Sequence, residues 1–81
     1  MDIKISKDCI VPKANVNYYA SYDANMIKLD VRKKKKNTEL VKDFTRGKKI
    51  NTVIYLKSGE MLLTNLSLET ISARMKDGDE I

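Results

Sequence analysis

Two apolar runs separated by a tight turn limit the possible folds of this chain more than any other feature of its sequence. The run at 52–56 is β-branched and aromatic, as strands prefer, and the run at 61–66 is rich in leucine. Lys57-Ser58-Gly59-Glu60 lies between them and is typical of a turn, because glycine adopts positive φ without steric cost. Both runs have apolar residues at odd and even positions, which predicts a hairpin buried on both faces.

A short amphipathic helix is predicted directly after the hairpin. Ser67 is a favourable N-cap residue, and the negative charge of Glu69 suits a first helical turn. Leu68, Ile71 and Met75 follow at spacings of three and four, which places them on one apolar stripe. We expect this stripe to cover one face of the hairpin.

The other face of the hairpin has no obvious cover in this interpretation. A single short helix would leave apolar side chains exposed, for example those of Ile54, Leu56 or Leu62. An exposed patch of this kind usually marks an interface, and a chain of 81 residues can build only a small core. We therefore expect a homo-oligomer.

The first part of the chain is interpreted mainly as strands. Residues 2–6 alternate between apolar and polar side chains, residues 9–11 form a short apolar run before the only proline, and residues 16–22 are strand-like. Residues 26–32 also alternate, which is the pattern of a half-exposed strand, but the sequence leaves both strand and helix open for residues 26–36. The lysines at 33–36 are expected to form a loop or an exposed extension.

A second short helix is predicted within the basic middle of the chain. Asn37 or Thr38 would cap it, it would extend to Arg46, and Gly47 would end it. Its inward residues would be Leu40, Val41 and Phe44. The expected fold is therefore α+β, with a small antiparallel sheet of four to five strands and one or two short helices, in a single domain over 1–76 followed by an acidic, flexible tail at 77–81.

Positive charge is concentrated in the middle of the chain. The formal net charge is +5, yet residues 28–49 contain ten basic and three acidic residues, so this segment alone carries +7. Such a localised charge indicates a polyanion-binding site. The alternative is a solvated loop that only increases solubility. We favour the first interpretation because a dense block of one sign repels itself unless a partner neutralises it.

Several function classes lack the residues that they need. The chain has no histidine and a single cysteine, which excludes the usual zinc sites and catalysis by Ser-His or Cys-His pairs. Cys9 is expected to be a small core residue. The sequence around Gly47 lacks the glycine spacing of a phosphate loop. We expect no enzymatic activity, no metal and no cofactor.

Membrane insertion and secretion are not indicated. No apolar run approaches the roughly 20 residues of a membrane span, and no apolar segment of the kind found in signal peptides follows Met1. We therefore expect no membrane partner and a cytoplasmic location.

Nucleic acid is the polyanion that these residues fit best. Lysines give sequence-tolerant phosphate contacts, and base readout would use arginine or asparagine side chains. Candidates for base readout are Arg32, Arg46, Asn25, Asn37 and Asn51. Three clustered tyrosines, Tyr18, Tyr19 and Tyr22, either stack on bases or are half-buried sheet residues, the second being the commoner role.

A set of short motifs resembles the bacterial extracellular-matrix regulatory protein family. The matching positions are Asp43-x-Thr45-x-Gly47-Lys48-Lys49, Val53-Ile54, Ser58, Leu63, Glu69-Thr70 and Arg74. The opening strands, through Pro12, are similar to the start of that family's second branch. The hairpin and following helix are also similar to LytTR-type DNA-binding domains and to competence transcription factors.

The resemblance implies a small biofilm-related DNA-binding regulator that assembles into rings. Paired basic residues contact DNA in the family, and by position these are Lys48 and Lys49. The family usually has arginines there, and lysine loses bidentate readout. Its middle segment is usually helical, whereas residues 26–36 of this chain alternate like a strand.

Our first hypothesis is therefore a bacterial transcription regulator that holds the phosphates of double-stranded DNA. Its two basic groups would flank the short helix and meet on one face of the protein. The predicted nucleic-acid-binding residues are Arg32, Lys33, Lys34, Lys35, Lys36, Arg46, Lys48 and Lys49. The alternative is a protein-interaction or inhibitor module, phage-encoded or from the host, that uses the two-sided apolar hairpin to bind a bacterial protein.

Overall fold

The computed structural model describes residues 1–37 and 39–76, and these residues form an α+β fold. The elements in chain order are β1 (Asp2–Ser6), β2 (Cys9–Pro12), a 3₁₀ turn (Lys13–Asn15), β3 (Val16–Ser21), α1 (Asn25–Lys34), β4 (Val41–Asp43), β5 (Thr52–Leu56), β6 (Met61–Thr64) and α2 (Leu68–Lys76). The predicted α+β class is confirmed. The predicted tail at 77–81 and the proposed cap at Thr38 lie outside the described residues.

The strands form two sheets. β1 and β2 pair with each other as an antiparallel hairpin, and the other four strands form a sheet in the order β3-β5-β6-β4. The predicted hairpin is confirmed as β5 and β6, and Gly59 adopts a φ of 97° in its turn. β3 pairs antiparallel with β5, whereas β4 pairs parallel with β6. The larger sheet is therefore mixed rather than wholly antiparallel, and its two central strands are those of the hairpin.

Both faces of this hairpin are buried, as its sequence predicts, and each face belongs to a separate apolar cluster. Ile54 and Leu62 face the layer that contains β1, β2 and α2, where their neighbours are Ile3, Ile5, Val11, Val16 and Ile71. The opposite faces of the two strands pack under α1, in a cluster of Val53, Tyr55, Met61, Leu63, Ile27 and Val31. The sheet is thus sandwiched between two layers.

The expectation of an uncovered hairpin face is wrong. Ile54 is 1% exposed and Leu62 is 4% exposed, and Leu56 is half-buried and packs against the first cluster. The reason is that the β1–β2 hairpin and α2 share one face, while α1 covers the other. These residues are buried within the single chain and therefore give no support for an oligomer.

The segment over 26–32, which alternates like a strand, is the helix α1. Ile27 and Val31, four residues apart, are both buried against β5 and β6, whereas Leu29 is 56% exposed. A strand would place all three on one face, but a helix turns the middle residue away from the other two. Lys33 and Lys34, predicted in a loop, belong to the same helix.

The prediction of a short helix ending at Arg46 is wrong, because Val41–Asp43 form the strand β4. Val41 packs against the cluster under α1, and Phe44 packs against the cluster on the other face of the sheet. Residues three apart share a side of a helix but point to opposite sides of a strand. The backbone also pairs with β6, since Phe44 N donates to Leu63 O over 2.8 Å.

The predicted helix after the hairpin is confirmed as α2. Ser67 Oγ accepts a hydrogen bond from Thr70 N at 3.1 Å, which is the expected capping contact. Ile71 is 1% exposed, while Leu68 at the start of the helix is 36% exposed. No helix in the described part of the chain is long and apolar enough to cross a membrane.

Substitutions in α1 distinguish the helix from the strand that the alternating sequence favoured. Val31→Ala should lower the free energy of unfolding by about 2 kcal/mol, because it leaves a cavity at a buried site. The matched variant Leu29→Ala should change the stability of the monomeric chain by less than about 0.5 kcal/mol, as expected of a position that is exposed in the single chain. Urea denaturation, at protein concentrations where the midpoint is constant, measures both. Equal losses of stability in the two variants would contradict the packing of α1.

Candidate nucleic-acid interface

A tight turn joins β4 to β5 and presents the basic residues of the family-like motif. Arg46 and Gly47 have φ values of 58° and 81°, and Lys48 N donates to Thr45 O at 3.1 Å. Two successive positive φ values with this hydrogen bond describe a type I′ turn. Gly47 was predicted to end a helix, but its conformational freedom is used in this turn. The side chains of Lys48 and Lys49 are exposed beside it.

A hydrogen-bonded pair fixes the start of the turn. Thr45 is 2% exposed, and its hydroxyl and its N–H both donate to Asp43 Oδ1, at 2.6 and 2.9 Å. Partial burial opposes ionisation of this carboxyl, but the two bonds from Thr45 and the charge of Lys35 outweigh it and hold the pKa of Asp43 below its usual range. The end of β4 is thereby held in place next to Arg46.

Five cationic residues surround a concavity of about 320 Å³ on the face of the sheet that carries β1 and α2. We call it the basic basin. Its cations are Lys4, Lys7, Arg46, Lys48 and Arg74, and none of the lining residues within 1–37 and 39–76 is a carboxylate. Arg74 Nη1 donates to Lys4 O at 2.6 Å, which ties α2 to β1. Arg46 Nε lies 3.7 Å from Asp8 Oδ2 at the rim, and both side chains are more than half exposed.

A second concavity, of about 610 Å³, lies on the opposite side of the sheet beside α1. We call it the α1 groove. Tyr18 and Tyr55 stack at its floor with ring centroids 4.3 Å apart. Met26 and Leu29 line it although they are 73% and 56% exposed. Three of the predicted site residues, Arg32, Lys33 and Lys36, also line it. The groove therefore combines apolar surface with basic side chains.

Two of the predicted lysines interact with carboxylates of the protein itself. Lys34 Nζ lies 3.7 Å from Asp30 Oδ2 and 5.6 Å from the centre of the Tyr55 ring. The hydroxyl of Tyr55 donates to the same Asp30 oxygen at 2.7 Å. Burial, together with this hydrogen bond and the negative charge of Asp30, raises the pKa of Tyr55. Lys35 caps the end of α1 and acts on the carboxyl of Asp43.

The structure divides the predicted basic residues between the two sides of the sheet. Arg46 and Lys48 line the basic basin, whereas Arg32, Lys33 and Lys36 line the α1 groove. The helix that was expected to bring the two groups together is absent, and β4 connects them instead. The two groups of basic residues therefore do not meet on one face, as predicted, but form two separate basic surfaces.

Three residues of the basin were not among the nucleic-acid-binding residues predicted from the sequence. Lys4, Lys7 and Arg74 lie outside the basic middle segment, and the β1–β2 hairpin and α2 bring them next to Arg46 and Lys48. Arg74 could have been found from the sequence, because it is one of the positions in the family-like motif. The alternation of β1, in which Ile3 and Ile5 are buried, also implied that Lys4 faces away from the core.

The remaining candidate residues have mainly structural contacts. Asn51 Nδ2 donates to Asn65 O at 2.6 Å, and Asn37 Oδ1 accepts from Glu39 N at 3.1 Å. Tyr19 and Tyr22 are half-buried, as sheet residues usually are, while Tyr18 is 49% exposed. Cys9 is half-buried, and burial raises the pKa of its thiol. Residues 1–37 and 39–76 contain no group of His, Cys, Asp and Glu side chains that could hold a metal ion.

The chain matches a known protein family. Residues 3–75 match the family model described as RemA-like, extracellular matrix regulatory protein A-like. This match covers nearly the whole chain and confirms the family suggested by the sequence motifs. No curated protein sequence matches the chain.

The pair formed by Thr45 and Asp43 yields a test of how the turn is held. Thr45→Val replaces the donor hydroxyl with a methyl group, and we expect it to lower the free energy of unfolding by about 1 to 2 kcal/mol at pH 7. The pKa of Asp43 is lowered in the folded state, so stability from its ionised form is present above the unfolded-state pKa and is lost as pH falls. The difference between wild type and variant should therefore shrink below about pH 4.

Urea denaturation between pH 7 and pH 3 measures this difference. Asp43→Asn is the control, because its amide oxygen still accepts a hydrogen bond but does not titrate in this range. A difference between wild type and Thr45→Val that is constant across the whole range would show that the carboxylate is not the partner that matters.

Proposed function

Since the chain belongs to the RemA-like family of extracellular matrix regulatory proteins, we propose that it is a bacterial transcription regulator that binds double-stranded DNA in the cytoplasm. The function proposed is binding without catalysis. Matrix regulation is what the family's description names, and DNA is the polyanion that the basic residues of this chain fit.

The observation that carries the proposal is the turn at Arg46 and Gly47. It holds Lys48 and Lys49 exposed at the edge of the basic basin, and a buried threonine anchors it on one side. Side chains on such an anchored turn need little reorganisation to meet a row of phosphates. The positions also match the paired basic residues through which the resemblance implies DNA contact.

The proposed mechanism is neutralisation of the phosphate backbone. Each lysine that contacts a phosphate releases counterions from the duplex, so affinity depends steeply on salt and little on base sequence. Arg46, Lys48 and Lys49 make the proposed direct contacts. The basic residues of the α1 groove lie on the other side of the sheet, and we assign to them long-range attraction of the duplex rather than contact with the same phosphates.

The alternative function was a module that binds another protein through its apolar hairpin, and the observation that suggested it no longer supports it. The hairpin faces that would have served as the binding surface are covered by α1 on one side and by β1, β2 and α2 on the other. DNA binding is therefore the function that we propose.

We also propose that the protein is a homo-oligomer, on a different basis from the hairpin. The contiguous exposed apolar side chains of Tyr18, Met26 and Leu29 lie at the α1 groove. Exposed apolar patches on small proteins often mark interfaces, and the family resemblance implies assembly into rings. A second copy of the chain is the proposed occupant of this surface.

Replacing both Lys48 and Lys49 with alanine tests the proposed DNA contacts. We expect weaker binding to every duplex sequence, and a plot of log K against log[salt] that is shallower by about 0.9 for each lysine–phosphate interaction removed. The fold should be retained, because exposed lysines contribute little to stability. Fluorescence anisotropy with labelled duplexes of unrelated sequence, at several salt concentrations, measures both quantities.

Lys57→Glu is the matched control, since it also lowers the net charge by two but lies in the β5–β6 turn, at the opposite end of β5. It should change affinity much less than the double substitution. An equal effect of the two variants would mean that total charge, rather than the β4–β5 turn, determines binding. Wild-type affinity and salt slope in the double variant would refute the proposed contacts.

The proposed assembly is tested by a charge placed in the α1 groove. Leu29→Lys should convert the oligomer to a monomer, because an interface would have to bury a new ammonium group beside the like charges of Arg32 and Lys33. Light scattering at high micromolar concentration gives the mass of wild type and variant. Lys28→Glu, on the same helix but not in the groove lining, should leave the mass unchanged. A monomeric wild-type protein would contradict the proposed oligomer.

A further inference from the structure

The basic basin extends well beyond the residues that the family-like motif supplies. Arg46 and Lys48 form one wall of it, while the others come from β1, from the turn between β1 and β2, and from α2. We propose that the remaining cations of this basin, Lys4, Lys7 and Arg74, form a second phosphate-binding site that holds the DNA backbone next to the phosphates contacted by Lys48 and Lys49. The inference rests on the proposed function and specifies more of its binding surface.

The electrostatics of the basin favour an anion. In the part of the chain that the structure describes, its lining residues contribute five positive side chains and no carboxylate. Such a cluster of like charges repels itself in the absence of a partner. At the exposed rim, the carboxylate of Asp8 pairs with Arg46 over 3.7 Å. A surface pair of this kind contributes little to stability, so an incoming phosphate can displace the Asp8 carboxylate at little cost.

The position of Arg74 is fixed before any ligand arrives. Its helix is attached to the core through Ile71, which is 1% exposed, and its Nη1 donates to Lys4 O at 2.6 Å. A guanidinium has five N–H donors in a rigid planar arrangement, so this one bond orients the group without using its whole donor set. An oriented arginine is well suited to phosphate, which it can bind with two parallel hydrogen bonds.

The walls of the basin are also joined to each other. Ser6 Oγ accepts from Asp8 N at 3.1 Å in the turn that carries Lys7, and the buried Thr45 anchors the turn that carries Arg46. Thr64 Oγ1 donates to Ile5 O, which fastens β1 to β6 beneath the basin. The lysines of the basin therefore project from backbone that hydrogen bonds hold in place. The two turns and β1 do not have to become ordered before DNA binds.

The test compares Lys4→Ala/Lys7→Ala with Lys48→Ala/Lys49→Ala and with wild type, using the intact protein and a labelled duplex. If Lys4 and Lys7 each contact one phosphate, the slope of log K against log[salt] becomes shallower by about 1.8. Between roughly 50 and 200 mM salt, wild type should then lose about 12 times more affinity than the Lys4/Lys7 variant. The two substituted lysines are exposed, and circular dichroism melting checks that the fold is retained.

The outcomes separate the inference from the proposed function. Parallel reductions of the salt slope in both double variants, with Lys57→Glu close to wild type, support the basin as a phosphate site. A wild-type slope in the Lys4/Lys7 variant, together with a reduced slope in the Lys48/Lys49 variant, would overturn the basin and leave the proposed function standing. Absence of any DNA binding by the wild-type protein would overturn both.

Discussion

Burial of β5 and β6 from both sides is the constraint on which the rest of the structure depends. Alternate side chains of each strand belong to different apolar clusters, so each face needs its own cover. The chain supplies α1 for one face and the β1–β2 hairpin with α2 for the other. This requirement places the basic residues of α1 on one side of the sheet, and those of β1, α2 and the β4–β5 turn on the other.

Local signals in the sequence were sufficient for the hairpin and α2, but not for the middle of the chain. Gly59 and Ser67 act through contacts within a few residues, so their roles could be predicted. Ile27, Leu29 and Val31 fit the period of a strand, and only packing of the first and third against β5 and β6 selects a helix. β4 is three residues long, and its conformation depends on hydrogen bonds to β6 rather than on its own propensity.

The candidate site shows the same division between local and long-range information. Lys48 and Lys49 were found because they adjoin Gly47 in a recognisable motif. Lys4 and Arg74 lie 70 residues apart and meet only because α2 packs against β1. A count of charge along the sequence therefore located one wall of the basic basin and missed the others. It also grouped the lysines of α1 with those of the β4–β5 turn, although the sheet separates them.

The central claim is that DNA lies against the face of the sheet that carries β1, α2 and the β4–β5 turn. Hydrogen–deuterium exchange measured by mass spectrometry, with and without a saturating duplex, tests it directly on the unaltered protein in any oligomeric state. The account predicts slower exchange on DNA binding in peptides that cover residues 4–9 and 45–51, with little change in peptides from residues 25–36. Protection confined to residues 25–36 would contradict it, because the duplex would then lie on the side of the sheet covered by α1.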